Sequence, residues 1–217
     1  MDPMDDIPAP LSTRYLALGD SYTIGEGVPQ AGTWPFQLAA ALRAQGIVLD
    51  DPQVIATTGW TTDELAAAID AEAPQGPYAL VSLLIGVNNQ YRGRPLAEYR
   101  QQFEQLLQRA IALAGEDPQR VLVLSTPDWG FTPYAQQNGR DAAQVAREID
   151  DFNAAAHACC GDYGVAFLDI TATSRDGGET VEMLADDGLH PSAAMYKRWM
   201  EVALPVAVEL LQATPAT

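Results

Sequence analysis

The stretch Arg14-Tyr15-Leu16-Ala17-Leu18-Gly19-Asp20-Ser21-Tyr22 decides the fold reading. Residues 14–18 read as a short buried strand, which breaks at Gly19 and presents a serine. In an open α/β sheet, ligands bind at the edge formed by the C-terminal ends of the strands. Alone, a strand followed by glycine and serine is an ordinary turn. Its weight comes from other segments that place polar residues at the same kind of edge.

Working outward, apolar runs at 14–18, 48–55, 79–85, 121–125 and 165–169 predict five strands, with helical patterns between them. Residues 34–44 follow Thr33, a candidate cap, and residues 62–71 open on Thr61-Thr62-Asp63-Glu64, which fits a capping box. Residues 96–113 carry Tyr99, Phe103, Leu106, Leu107, Ala110 and Ile111 at helical spacing after Pro95. Residues 140–158 carry Val145, Ile149, Phe152 and Ala156 on one stripe. Residues 192–211 form a last helix, with Pro205 predicted to kink it. Strands alternating with helices imply βαβ units, a mostly parallel sheet and helices on both faces. A single α/β domain over residues 1–217 is expected, with a core of about 13–212 and loose ends at 1–12 and 213–217. The connection from Ser125 to Arg140, with Trp129, Phe131 and Tyr134, is long for a βα loop, a length that more often serves function.

The chain has 12 basic and 29 acidic side chains, for a net charge of −17, and its basic residues are scattered, with the densest pair at Arg92 and Arg94. Nucleic acid and anionic membranes need a basic stripe, so neither is an expected partner. No apolar run reaches the roughly 18 residues of a membrane span. The acidic start, Met1 to Asp6, lacks the apolar core of a secretory signal, and a cytoplasmic location is expected. Cys159 and Cys160 are adjacent at the end of a predicted helix and read as small buried hydrophobes. Neither a disulfide scaffold nor a metal site is expected, and no cofactor; the oligomeric state is left open.

A serine nucleophile needs a base, a group that orients the base, and donors for an oxyanion. The base is normally histidine, and this chain has two. His157 lies inside a predicted helix among small apolar residues, which suggests packing or a solvent-facing position. His190 lies in the loop Ala185-Asp186-Asp187-Gly188-Leu189-His190-Pro191, and Pro191 keeps it out of a helix. Asp187, three residues before it, can reach Nδ1 within one turn and leave Nε2 free; Asp186 is the alternative orienter. After the second strand, Gly59 can turn a backbone N–H into a pocket where a side chain would block approach. After the third, Asn88 carries an amide that can donate to an oxyanion. Each is a common turn residue on its own, but all follow strands on one predicted edge.

In these residues the chain resembles the GDSL-like, or SGNH, hydrolase family. Gly19-Asp20-Ser21-Tyr22 is similar to its Gly-Asp-Ser-Leu block, Gly59-Trp60-Thr61-Thr62 to its glycine block, Gly86-Val87-Asn88-Asn89 to its Gly-x-Asn-Asp block, and Asp187-Gly188-Leu189-His190 to its Asp-x-x-His block. The resemblance spans residues 15–191, and Tyr22 and Asn89 depart from the family's leucine and aspartate. It implies a three-layer α/β/α sandwich around a five-stranded parallel sheet, flavodoxin-like, and metal-free hydrolysis of a small-molecule ester or thioester. It assigns Ser21 as nucleophile, His190 as base, Asp187 as its orienter, and Ser21, Gly59 and Asn88 as oxyanion donors. Two narrower readings share these residues. Tyr91 and the aromatics of 129–134 suit a carbohydrate O-deacetylase. The same aromatics with Met183 and Leu184 suit a thioesterase or lysophospholipase. A non-catalytic binding module is the reading of another class, and it has no need for all four of Ser21, Asn88, Asp187 and His190.

Overall fold

The structure, a computed structural model, describes residues 12–213. Most of both expected loose ends, residues 1–11 and 214–217, and with them the acidic start, lie outside the described residues. Five strands, β1 (Tyr15–Gly19), β2 (Gln53–Ala56), β3 (Leu80–Leu84), β4 (Val121–Leu124) and β5 (Ala166–Leu168), form one parallel sheet in the order β2-β1-β3-β4-β5. The register sets the functional edge. Gly19 lies opposite Ala56 on one side and Leu84 on the other, so three strands end level and the turns that leave them meet at one edge.

Nine helices flank or cap the sheet among the described residues: α1 (Ser21–Ile24), α2 (Trp34–Ala44), α3 (Thr62–Glu72), α4 (Val87–Tyr91), α5 (Leu96–Leu113), α6 (Pro133–Gln137), α7 (Ala142–Tyr163), α8 (Thr171–Arg175) and α9 (Ala193–Gln212). The two-residue period of a strand sends alternate side chains to opposite faces. Tyr15, Ala17, Leu80 and Leu84 join a core with α2 and α9 through Trp34, Leu38, Tyr196 and Trp199. Leu16, Leu18, Val81 and Leu83 join a second core with α3, α5 and α7 through Leu65, Phe103, Leu106 and Phe152. This is the expected three-layer sandwich. Truncating one such buried leucine to alanine typically costs about 2–5 kcal/mol. The polar Ser82 on the inner strand β3 is tolerated because Tyr15 Oη and Ser82 Oγ share a 2.9 Å hydrogen bond.

Several boundaries differ from the sequence reading, each for a local reason. Strand β2 starts at Gln53 rather than 48: Val48 is 75% exposed, and Pro52, next in register, has no N–H to donate. Helix α7 starts at Ala142, where Asp141 accepts the Ala143 and Gln144 N–H groups, and runs past the expected 158 to Tyr163. Cys159 and Cys160 therefore lie within the helix, buried and free, and burial pushes their thiols up to about 11 and about 12. Thr33 precedes α2 but does not cap it; its hydroxyl donates to the Gln30 carbonyl. The capping box at Thr61 and Glu64 is formed, and α9 runs without interruption through Pro205. The short helices α1 and α4, which carry the edge residues, are too brief for a periodicity to announce.

Candidate active site

The turn after β1 is built by close packing. A Cβ on Gly19 would stand 2.2 Å from Thr23 Oγ1 and 2.6 Å from the Leu84 carbonyl oxygen, so only glycine lets the chain turn against β3. Asp20, fully buried, caps the next turn: its carboxylate accepts the Tyr22 N–H at 3.0 Å and its carbonyl those of Thr23 and Ile24. Burial pushes the Asp20 carboxyl up to about 7, against the pull of the Tyr22 N–H. Ser21 is the first residue of α1, and only 4% of it is exposed. Among the described residues neither its N–H nor its hydroxyl has a hydrogen-bond partner.

Two further corners face it. Gly59 adopts a left-handed φ of +88°, and its N–H also lacks a protein acceptor among the described residues. An added Cβ would meet no protein atom closer than Arg92 Nη2 at 3.8 Å, so within the protein it is the backbone angle, not crowding, that calls for glycine here. Arg92 holds this corner, donating to the Gly59 carbonyl at 2.5 Å and pairing with Glu64 at 3.4 Å. Asn88, on α4, donates Nδ2–H to the Trp60 carbonyl at 2.9 Å, with Asp20 Oδ2 3.5 Å from the same nitrogen. The departure at Asn89 has a structural account. Its Oδ1 accepts the Thr62 N–H at 3.1 Å and its Nδ2 donates to Thr62 Oγ1 at 2.7 Å, freeing the Thr62 hydroxyl to donate to Gln102. The amide thus braces the glycine corner to the asparagine corner.

The loop before α9 delivers the histidine. A bridge between Leu184 and Pro191, with Ala185 N–H donating to the His190 carbonyl at 2.7 Å, closes the loop on itself. Within it Asp187 Oδ1 accepts the N–H groups of Leu189 and His190, both at 2.9 Å, and Oδ2 lies 2.6 Å from His190 Nδ1. Asp187, not Asp186, makes the contact. Partial burial opposes its charge, but the His190 ring bond and the two backbone N–H groups outweigh it, and its pKa falls below the usual carboxylate value. A charged Asp187 keeps the proton on Nδ1 and leaves Nε2 as an acceptor.

Ser21, Gly59, Asn88 and His190 line one cavity of about 160 Å³, together with Tyr22, Thr58, Val87, Tyr91, Trp129, Tyr134 and Leu189. Its aromatic wall is tied down. Trp129 Nε1–H donates to Gln90 at 2.8 Å, Tyr91 and Tyr134 share a 3.1 Å hydroxyl contact, and the Arg140 guanidinium sits over Trp129 at 4.9 Å. The long 125–140 connection supplies Trp129 and Tyr134 to this wall, as its length suggested; Phe131 is not part of it. Met183 and Leu184 do not line the cavity either; they lie behind it. His157 is exposed on α7, its ring stacked on Phe167 at 4.9 Å. Among the described residues no group of three or more His, Cys, Asp or Glu could hold a metal, and no helix is long and apolar enough to cross a membrane.

The model of the GDSL-like lipase/acylhydrolase family matches residues 17–198, across all four blocks. The chain belongs to that family. This GDSL-family chain is a hydrolase, which sets the binding-module reading aside. No curated protein matches it. Solved structures share its fold: TesA, at 23% identity and a TM-score of 0.70, covers 91% of this chain and 99% of its own. The psychrotrophic esterase EstA of a Pseudoalteromonas species matches at 17% identity and TM-score 0.63, covering 92% of this chain and 94% of its own. An extracellular lipase of Streptomyces rimosus matches at 21% and 0.65, covering 90% and 98%. Sequence reasoning missed what supports the GDSL-family site. Arg92 and Gln90 give no local signal of this role, because their partners at Gly59 and Trp129 lie 33 and 39 residues away.

Proposed function

We propose that this GDSL-family hydrolase cleaves small carboxylic esters through an acyl-enzyme on Ser21. The Asp187–His190 pair carries this reading, because His190 lines the same cavity as Ser21 and Gly59, whose backbone N–H groups have no protein acceptor among the described residues. Ser21 Oγ attacks the acyl carbon while His190 Nε2 takes its proton. The N–H groups of Ser21 and Gly59 and the Asn88 amide stabilise the oxyanion. The carbon–oxygen bond to the alcohol then breaks, and the alcohol leaves with the proton from His190. Water, deprotonated by the same histidine, releases the acid and restores Ser21. Asp187 holds the ring and stabilises the imidazolium formed at each step. Ser21 and His190 need not be hydrogen-bonded beforehand, since such contacts often tighten only with substrate bound.

The protein is expected to hydrolyse p-nitrophenyl acetate, and Ser21→Ala to lose at least about 10³-fold in kcat/KM. A fluorophosphonate should add to Ser21, read by peptide mass spectrometry; the Pseudoalteromonas esterase was itself solved inhibited by monoethylphosphonate. Activity that survives Ser21→Ala removes Ser21 as nucleophile. A carbohydrate ester is the second reading, favoured by Tyr91, 43% exposed at the cavity, which offers a face for a sugar ring.

A further inference from the structure

We propose that Tyr22 sets the acyl-length limit of the Ser21 site by walling its cavity off from a second, largely apolar cavity behind it. This rests on ester hydrolysis at Ser21. Tyr22, Trp129 and Leu189 line both spaces, so they form the partition. Beyond it, Met183, Leu184, Met195 and Trp199, together with Asp128 and Ser174, line an inner space of only about 20 Å³. A void of that size holds one water, whereas an apolar cavity of about 150 Å³ holds a benzene ring. The outer cavity, at about 160 Å³, therefore takes an acyl group of roughly six heavy atoms, and the partition stops a longer chain from running inward.

Of the three partition residues, Tyr22 is the one that can be shortened without dismantling the site. Trp129 is tied to Gln90 and Arg140, and Leu189 sits in the Asp187–His190 turn. The Tyr22 side chain makes no hydrogen bond to any described residue; its ring packs against His190 at 5.6 Å and Trp199 at 6.0 Å. It is also the position where this chain carries a ring in place of the leucine of the Gly-Asp-Ser-Leu block. Leucine has four fewer heavy atoms, and their removal joins the two spaces into one that runs toward Met183 and Met195.

The test is kcat/KM on p-nitrophenyl acetate, butyrate, octanoate and decanoate. The native chain should favour butyrate over octanoate by at least about 10-fold, since even one misfitting methylene in an apolar pocket is worth that much. Tyr22→Leu should raise the octanoate-to-butyrate ratio by about 10-fold or more. Tyr22→Met, whose side chain is also four heavy atoms smaller, carries the same expectation should leucine fold poorly. Tyr22→Phe keeps the wall and should leave the ratio within about twofold, and Met183→Trp added to Tyr22→Leu should refill the inner space and restore the native ratio. A ratio is read because a general loss of catalysis lowers all esters alike. A native chain that takes octanoate as readily as butyrate, or a folded Tyr22→Leu or Tyr22→Met with an unchanged ratio, overturns the partition while leaving ester hydrolysis standing. Failure to cleave any of the four esters overturns the ester reading and the partition with it.

Discussion

The turn after β1 and the loop before α9 each place an aspartate behind a residue that lines the cavity, Ser21 and His190, and the two carboxylates are treated in opposite ways. Asp20 is fully buried, with the Tyr22 N–H on its carboxylate and the Asn88 amide only as near as 3.5 Å, and burial pushes it up to about 7. Asp187 sits in a half-open loop, gathers two backbone N–H groups and the His190 ring, and stays below the usual carboxylate value. Residue type is shared; hydration and donors decide which carboxylate holds a charge beside an imidazole. The first suits a tight, dry turn, and the second suits orienting a base.

The largest effect expected from breaking this contrast is in activity. Asp187→Asn should lower kcat/KM by on the order of 10²–10⁴-fold, while Asp186→Asn changes it by less than about twofold. Comparable losses from both would mean that the acidity of the loop, not the single bond to Nδ1, supports His190. A smaller effect separates the two by pH dependence of stability. Asp20 binds its proton more tightly folded than unfolded, so its contribution declines as pH rises from about 4 to about 7 and is level above, by on the order of 4 kcal/mol. Asp20→Asn should flatten the fall in Tm between pH 5 and pH 8 by several degrees, measured by thermal melts. An unchanged slope would show that Asp20 is ionised in both states. The smallest effect lies at the acid end. Asp187, with its pKa lowered on folding, stabilises the chain above the ordinary carboxylate value and loses that contribution as pH falls from there through its lowered value. Asp187→Asn should therefore make the melting curve less sensitive to pH below about 4, and a sensitivity equal to that of the native chain would contradict the shift.

How much of this was legible depends on the distance over which each residue finds its partners. Asp187 and His190 are three residues apart, so one turn sufficed to pair them, and Thr61 with Glu64 formed its box for the same reason. The apolar stripe of α5 needs only a helical period and a buried face, and its limits match the sequence reading. Strand β2 was overextended because Val48 looks buried by composition, while the register against β1 and Pro52 start the ladder later. The braces were invisible: Arg92 to Gly59, Asn89 to Thr62 and Gln90 to Trp129 each join elements that only the folded sheet edge brings together. The two histidines stand at the extremes, His190 closed in its own loop and His157 exposed on α7, where only the fold supplies Phe167 beneath it.

By itself, the sequence determined the order of strands and helices, the glycine and serine at the end of β1, and the aspartate that reaches His190, because hydrophobic period and short-range hydrogen bonds are local. Tertiary structure decided that strands β1, β2 and β3 end level, which sets Ser21, Gly59 and Asn88 around one space of about 160 Å³. It also decided where that space stops. A cavity wall is a packing fact shared by residues as distant as Tyr22, Trp129 and Leu189, and no interval along the chain encodes it.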